Sequence, residues 1–136
     1  ARKKGILVVT AAGNRGEDIQ FKKYFPASYN LTNIISVASI DSNQRLASTS
    51  NYGRTVDIAA PGHQIYSSLP NQKMGYMSGT SQATAFVTAQ IVTHYLQYKK
   101  QIRSRTNTDL LRQIGSTDQI LRSQTRNGIY LNNERN

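Results

Sequence analysis

The sequence predicts an α/β domain organised around one sheet and one dominant helix. Short apolar, β-branched runs recur at Ile6 to Thr10, Ile34 to Ile40 and Val56 to Ala59, each closed by small or turn residues. A long apolar stretch begins just after Ser81 and keeps helical spacing. These segments alternate along 136 residues without an internal repeat or low-complexity tract, and 38% hydrophobic content is enough for one modest core.

Taken in order, Ala1-Arg2-Lys3-Lys4-Gly5 reads as the last turn of a helix, with cations near the carbonyl end and a glycine at the stop. Ile6 to Thr10 follows as a buried strand that feeds a tight loop, Ala11-Ala12-Gly13-Asn14. A polar loop from Arg15 to Lys23 separates it from the strand at Ile34 to Ile40, and Pro61-Gly62 closes the strand at Val56 to Ala59. Ile65 to Leu69 and Lys73 to Met77 pair across a turn at Pro70-Asn71.

The helix after Ser81 carries Ala83, Phe86, Val87, Ala89, Ile91, Val92, Tyr95 and Leu96 up to the polar tail Lys99-Lys100-Gln101. So broad an apolar face predicts burial on most sides. A shorter helix is capped by Thr106 or Asn107, turns Leu110, Leu111 and Ile114 inward and ends at Gly115. Ile129-Tyr130-Leu131 is a final strand, and Asn133 to Asn136 is expected to fray.

The candidate chemistry sits at the mouth of the long helix, in Met77-Ser78-Gly79-Thr80-Ser81-Gln82-Ala83-Thr84-Ala85. Gly79 lets a substrate backbone approach, and the free N–H groups of a first helical turn stabilise charge developing on a carbonyl oxygen beside Ser81. For a lone Gly-Thr-Ser, an ordinary N-capping serine is the better reading. Asn14 has two readings as well. Its amide can donate to an oxyanion, or it can be a turn asparagine that tolerates a left-handed backbone.

Together the two segments resemble the subtilisin-like serine proteases, the subtilases or peptidase S8 family. Phe25-Pro26-Ala27-Ser28-Tyr29, Ile34 to Asp41, Ser50-Asn51-Tyr52-Gly53, Val56 to Gly62, Asn107 to Ile114 and Gly128 to Asn132 are similar to family segments in family order, and ordered co-occurrence is far more specific than either motif alone. The resemblance implies the C-terminal part of a subtilisin-like three-layer α/β fold, with a mainly parallel sheet and a buried central helix that starts at the nucleophile. It implies Ser81 as nucleophile, Asn14 as oxyanion-hole donor, and Ala11, Ala12, Gly13, Gly79 and Thr80 as substrate-binding residues.

A protease of this type needs a histidine to take the serine's proton and an aspartate to orient it. In the family both precede the asparagine loop, so residues 1–136 are read as the C-terminal portion of one catalytic domain, with the N-terminal half as the missing partner. His63 follows Pro61-Gly62 and reads as a surface residue, while His94 lies mid-helix, thirteen residues after Ser81. Asp41 and Asp57 resemble structural positions. No triad can be assembled from this chain.

Gln82 stands where the family usually has methionine, and Ala85 where it usually has a proline in the first helical turn. Both keep open a catalytically inactive subtilase fold that serves as a binding or scaffold element. The formal charge of +10 raises the question of nucleic acid. The basic residues are spread from Arg2 to Arg135, with small clusters at Lys22-Lys23 and at Lys99-Lys100, Arg103 and Arg105, which disfavours a nucleic-acid module.

Cysteine is absent, so disulfides, thiolate metal sites and cysteine nucleophiles are excluded within these residues. No stretch is long and apolar enough to span a membrane as a helix. The resemblance implies a polypeptide substrate, a secreted, cell-surface or periplasmic location and no required cofactor. Carbonyls around Ala27 to Leu31 resemble a weak calcium site of the family.

Overall fold

The computed structural model describes residues 2–98 and 106–132. The Lys99-Lys100 and Arg103/Arg105 clusters, and Asn133 to Asn136, lie outside them. Arg2–Lys4 forms a 3-10 turn that ends at Gly5, φ +68°, as the basic run and glycine predict.

Strand β1 (Val8–Ala11) pairs in parallel with β2 (Ile34–Ile40), and β2 in parallel with β3 (Ile58–Pro61). β1 and β3 each begin two residues later than the apolar runs suggest. Strands β4 (Ile65–Leu69) and β5 (Lys73–Met77) form a separate antiparallel hairpin over the predicted bounds. Asn71 and Gln72 both take positive φ in its turn, matching the twist a tight hairpin requires.

Helix α1 (Thr80–Gln97) follows, then α2 (Asn107–Ile114), β6 (Ser116–Thr117) and β7 (Ile129–Tyr130). The main sheet has the order β1-β2-β3-β7-β6, parallel except for the β6–β7 pair. Thr106 caps α2 by accepting the Asp109 N–H at 3.2 Å, and Gly115 closes it.

All seven residues of β2 are buried, as befits a central parallel strand covered on both faces. Alternation splits its side chains between two cores. Ile35 and Val37 join Ile58, Ala60, Ala83, Val87, Leu111 and Ile129 under the helices. Ala38 and Ile40 join Ala12, Ile19, Ala27, Val56 and Leu121 on the opposite face, covered by loops and short 3-10 turns.

The expected burial of α1 on most sides is not what this chain provides. Thr80, Ala83 and Val87 are buried and Ile91 packs against the same core, but Phe86, Val92, Tyr95 and Leu96 are 40–59% exposed. The sheet meets only one side of the helix, and the apolar face is wider than that contact. In α2, Leu111 is buried as predicted, whereas Leu110 and Ile114 are only partly covered.

Candidate active site

Gly79, not a serine, occupies the N-cap position of α1, with Thr80 and Ser81 as its first two residues. The capping-serine reading therefore falls. Gly79 offers no side chain to the free N–H groups of the first turn, and part of that role passes to Asn14. The Asn14 Oδ1 accepts the Thr80 N–H at 2.8 Å and the Thr80 hydroxyl at 3.0 Å. Thr80 Oγ1 in turn accepts the Gly13 N–H at 3.2 Å. Sixty-odd residues apart in sequence, the β1 loop and the α1 mouth are thus joined by hydrogen bonds.

This arrangement orients the asparagine. With its oxygen committed to Thr80, the Asn14 amide nitrogen is the outward, donating end, and it lies beside Gly79. A side chain at Gly79 would have its Cβ 3.1 Å from Gln82 Oε1 and 3.2 Å from Asn14 Nδ2. Both Asn14 and Ser81 are exposed, and the Ser81 N–H, in the first turn, has no intrahelical acceptor. Both donors and the Ser81 hydroxyl therefore belong to residues exposed at the mouth of α1.

Gly79 is further held by its N–H to the Gly62 carbonyl at 2.7 Å, and the neighbouring Ser78 Oγ accepts the Gln64 N–H at 2.8 Å. Ser78 is thereby engaged in the fold, although it lies close to Ser81 in sequence. A cavity of about 440 Å³ opens next to Ser81 between the β4–β5 hairpin and α1, walled by Ile65, Tyr66, Met77, Gln82 and Phe86. Ala85 is the sixth residue of α1, in its second turn and not its first, and the helix runs through it unbroken.

Of the proposed pocket wall, Ala11 is half-buried, Gly13 is buried and Ala12 is 0% exposed within the second core. Ala12 thus backs the loop and leaves its surface to its neighbours.

The loop is braced by a residue for which the sequence offered no role. Asn51, 1% exposed, donates from Nδ2 to the Ala12 carbonyl at 2.9 Å and accepts the Arg15 and Glu17 N–H groups at 3.0 and 3.1 Å. Gly62, the Gly79 partner, was likewise only part of a recognised segment. Both contacts join positions distant in sequence, and neither leaves a local signature.

Neither histidine is bonded to Ser81. His63 is exposed, and His94 Nε2 pairs with Gln113 Oε1 at 3.0 Å while its ring lies against Tyr98 in a tilted contact. Thirteen helical residues place His94 roughly 20 Å along the axis from Ser81. Asp41 Oδ1 accepts the Asn43 and Arg45 N–H groups, and Asp57 Oδ2 the Ser36 N–H at 2.9 Å, so both serve the fold.

Ala27, Asn30 and Leu31 line a second cavity, of about 510 Å³, with Asp57, Asn107 and Arg126. Asp57 is its one acidic residue, and the Arg126 Nε lies 3.1 Å from the Asp57 Oδ1 while Arg126 Nη2 donates to Asn30 Oδ1. A guanidinium already balances this carboxylate, and no group of three or more His, Cys, Asp or Glu side chains that could hold a metal ion occurs among the described residues. Burial pushes the Asp57 carboxyl above the ordinary aspartate range, against the opposing pull of the Ser36 N–H and Arg126.

A serine in the first turn of a helix, one residue after the threonine that anchors a carboxamide, on a largely parallel sheet, is the arrangement expected of a serine hydrolase. Residues 1–128 match the Subtilase family of peptidases, S8. The chain belongs to this family. It is 49% identical over 84 residues to a thermophilic serine proteinase of Bacillus sp. (strain AK1), covering 62% of this chain and 20% of that one. It is 42% identical over 89 residues to the major intracellular serine protease of Bacillus subtilis (strain 168), covering 64% and 27%. The fold superposes on a cold adapted subtilisin-like serine proteinase with a TM-score of 0.71 and 27% identity, over 93% of this chain and 44% of that one. The chain thus spans less than half the length of these relatives.

Proposed function

We propose that this chain is the nucleophile-bearing, C-terminal portion of a subtilisin-like serine endopeptidase domain, in which Ser81 attacks the substrate carbonyl. The tetrahedral oxyanion is held by the Asn14 Nδ2 and the Ser81 N–H, Ala11 supplies accessible pocket wall, and the buried Ala12, Gly13, Gly79 and Thr80 shape the site from behind. A histidine and an aspartate from an upstream half, on the same or a separate chain, take the proton and stabilise the imidazolium. The observation that supports this reading is the anchoring of Asn14 Oδ1 by Thr80, the residue before Ser81, which leaves the amide nitrogen as the donating end.

Acyl transfer of this kind requires no cofactor, and polypeptide is the substrate. Nucleic acid is not a partner in this reading. No helix among the described residues is long and apolar enough to cross a membrane. We place the enzyme outside the cytoplasm or at the cell surface. A relative named as intracellular makes fractionation of the native protein the measurement that decides, and a cytoplasmic pool alone would reverse the placement.

The test of the chemistry is covalent labelling of the complete enzyme with a fluorophosphonate, which reacts only with an activated serine. Label is expected on Ser81 and not on Ser78, whose hydroxyl is engaged by Gln64. Correctly folded, unlabelled protein would instead support the inactive scaffold.

A further inference from the structure

We propose that Asn51 is the positioning residue of the oxyanion hole, a buried side chain that fixes the backbone on both sides of Asn14 and so aims its amide. The inference rests on the reading of Asn14 as the oxyanion donor. Asn51 sits 34 to 39 residues from the loop segments its side chain holds, and all of its polar side-chain atoms are spent on them. Nδ2 donates to the Ala12 carbonyl at 2.9 Å, before Asn14, and Oδ1 accepts the N–H groups of Arg15 at 3.0 Å and Glu17 at 3.1 Å, after it. The Asn51 backbone N–H adds a bond to the Gly13 carbonyl at 2.8 Å. The residue that matters chemically is bracketed, and Asn51 itself never touches the reacting space.

The loop is shaped to receive this side chain. Gly13 has φ +104°, a conformation that side-chain-bearing residues avoid, and a Cβ there would run into Asn51 Nδ2 and the Tyr24 ring. The brace is also tied to a rigid element. Ser50 Oγ accepts the N–H of Ser39 in β2 at 2.9 Å and donates to the Asn51 carbonyl at 3.0 Å. An unbroken set of bonds therefore runs from the central strand through Ser50 and Asn51 to the loop, then through Asn14 to Thr80 at the mouth of α1. An oxyanion donor must be held to within about 0.5 Å and 10–20° to act fully. A carboxamide bonded on three sides supplies that constraint.

Deleting the brace strands the Ala12 carbonyl and two N–H groups, which loosens the loop and costs stability, so the experiment must separate aim from stability. It uses the complete enzyme with kcat, KM and melting temperature measured on a peptide ester. Asn51→Ser is expected to lower kcat between about 10- and 100-fold, below the ceiling set by losing the donor itself, with KM held within about twofold. In an Asn14→Leu background the same substitution is expected to change kcat by less than about twofold, because there is no donor left to aim. Asn51→Asp keeps an acceptor for Arg15 and Glu17 while losing the bond to Ala12, and should retain more kcat than Asn51→Ser.

Thr125→Val serves as the stability control. It removes a buried hydroxyl bonded to Leu121 and Gly128, away from the loop, and should lower the melting temperature with kcat unchanged. An equal fall in kcat for Asn51→Ser in both backgrounds, or no fall in the parent, overturns the positioning role while leaving the Asn14 reading intact. If Asn14→Leu alone leaves kcat unchanged, the oxyanion reading falls and this inference with it. Should Asn51→Ser not fold, Asn51→Asp in the two backgrounds carries the same comparison.

Discussion

Asn14 and Thr80 form a two-point contact in which one carboxamide oxygen accepts both the backbone N–H and the hydroxyl of the threonine, at 2.8 and 3.0 Å. This bond serves the fold and, on the proposed reading, the chemistry. It satisfies a first-turn N–H that glycine at the N-cap cannot, and it settles which end of the amide faces outward.

Replacing Thr80 by valine keeps the shape of this fully buried side chain but removes its hydroxyl. The Gly13 N–H then loses its acceptor, and an unsatisfied buried donor destabilises by about 1–3 kcal/mol. In the complete enzyme kcat should fall on the order of tenfold, well short of losing the donor, because the Thr80 backbone N–H still holds Asn14 Oδ1. Thr80→Ser restores the hydroxyl and should recover most of both losses. Matching kinetics for the valine and serine variants would remove the hydroxyl from the account.

Asn14→Leu deletes the donor itself. The bond strengthens chiefly in the transition state, so kcat should fall with KM little changed. The expected size, about 10²–10³, is that known for loss of this donor in subtilisin itself and is not a consequence of the distances given above. A leucine at this position also leaves the Thr80 N–H uncapped, so a melting curve must accompany the kinetics. Normal kcat in a variant of normal stability would take Asn14 out of the machinery.

Apart from the two-residue β6, the strands, the hairpin and both helices were legible because each rests on local pattern. β2, β4, β5 and α2 fall on their expected bounds, since apolar runs, turn residues and caps mark them within a few positions. β1 and β3 start late because parallel pairing with β2, and not hydrophobicity, decides where a ladder begins. Ser81 and Asn14 are singled out by ordered motifs. Asn51 stayed silent because its contribution consists of contacts to residues 34 to 39 positions away, which no window on the sequence contains. The exposed side of α1 escaped for a related reason: apolar periodicity reports which face wants a partner, not whether this stretch of chain supplies one.

That face leads to a prediction about the 136 residues by themselves. Val92, Tyr95 and Leu96 are each more than half exposed on α1, and Tyr66 and Tyr76 are exposed on the neighbouring hairpin. Apolar surface of this kind promotes self-association in water. The isolated chain is expected to be inactive towards casein and to elute as aggregate, while Val92→Glu with Leu96→Lys should shift it towards monomer. Casein cleavage by the isolated chain, silenced by Ser81→Ala, would show that no upstream half is needed.

The last prediction concerns pH and lies away from the active site. Asp57 is pushed above its ordinary value of 3.8 by burial, which outweighs the Ser36 N–H and the Arg126 guanidinium drawing it the other way. A carboxyl that binds its proton more tightly folded than unfolded favours the fold most below 3.8, and that contribution is lost as pH rises through the higher, folded value. Asp57→Asn removes the titration while keeping an oxygen for the Ser36 N–H. Melting temperatures of the two forms, both carrying Ser81→Ala to prevent self-digestion, should therefore draw apart with pH. The parent should lose ground to the asparagine variant as pH climbs from about 3.8 through the mildly acidic range. Added salt should enlarge that loss by screening Arg126, which is about one-third exposed and is the cation opposing the shift. Parallel curves would mean that Asp57 titrates alike in the folded and unfolded chain. A parent that gains on the variant with rising pH would mean that the Arg126 pair, and not burial, governs this carboxylate.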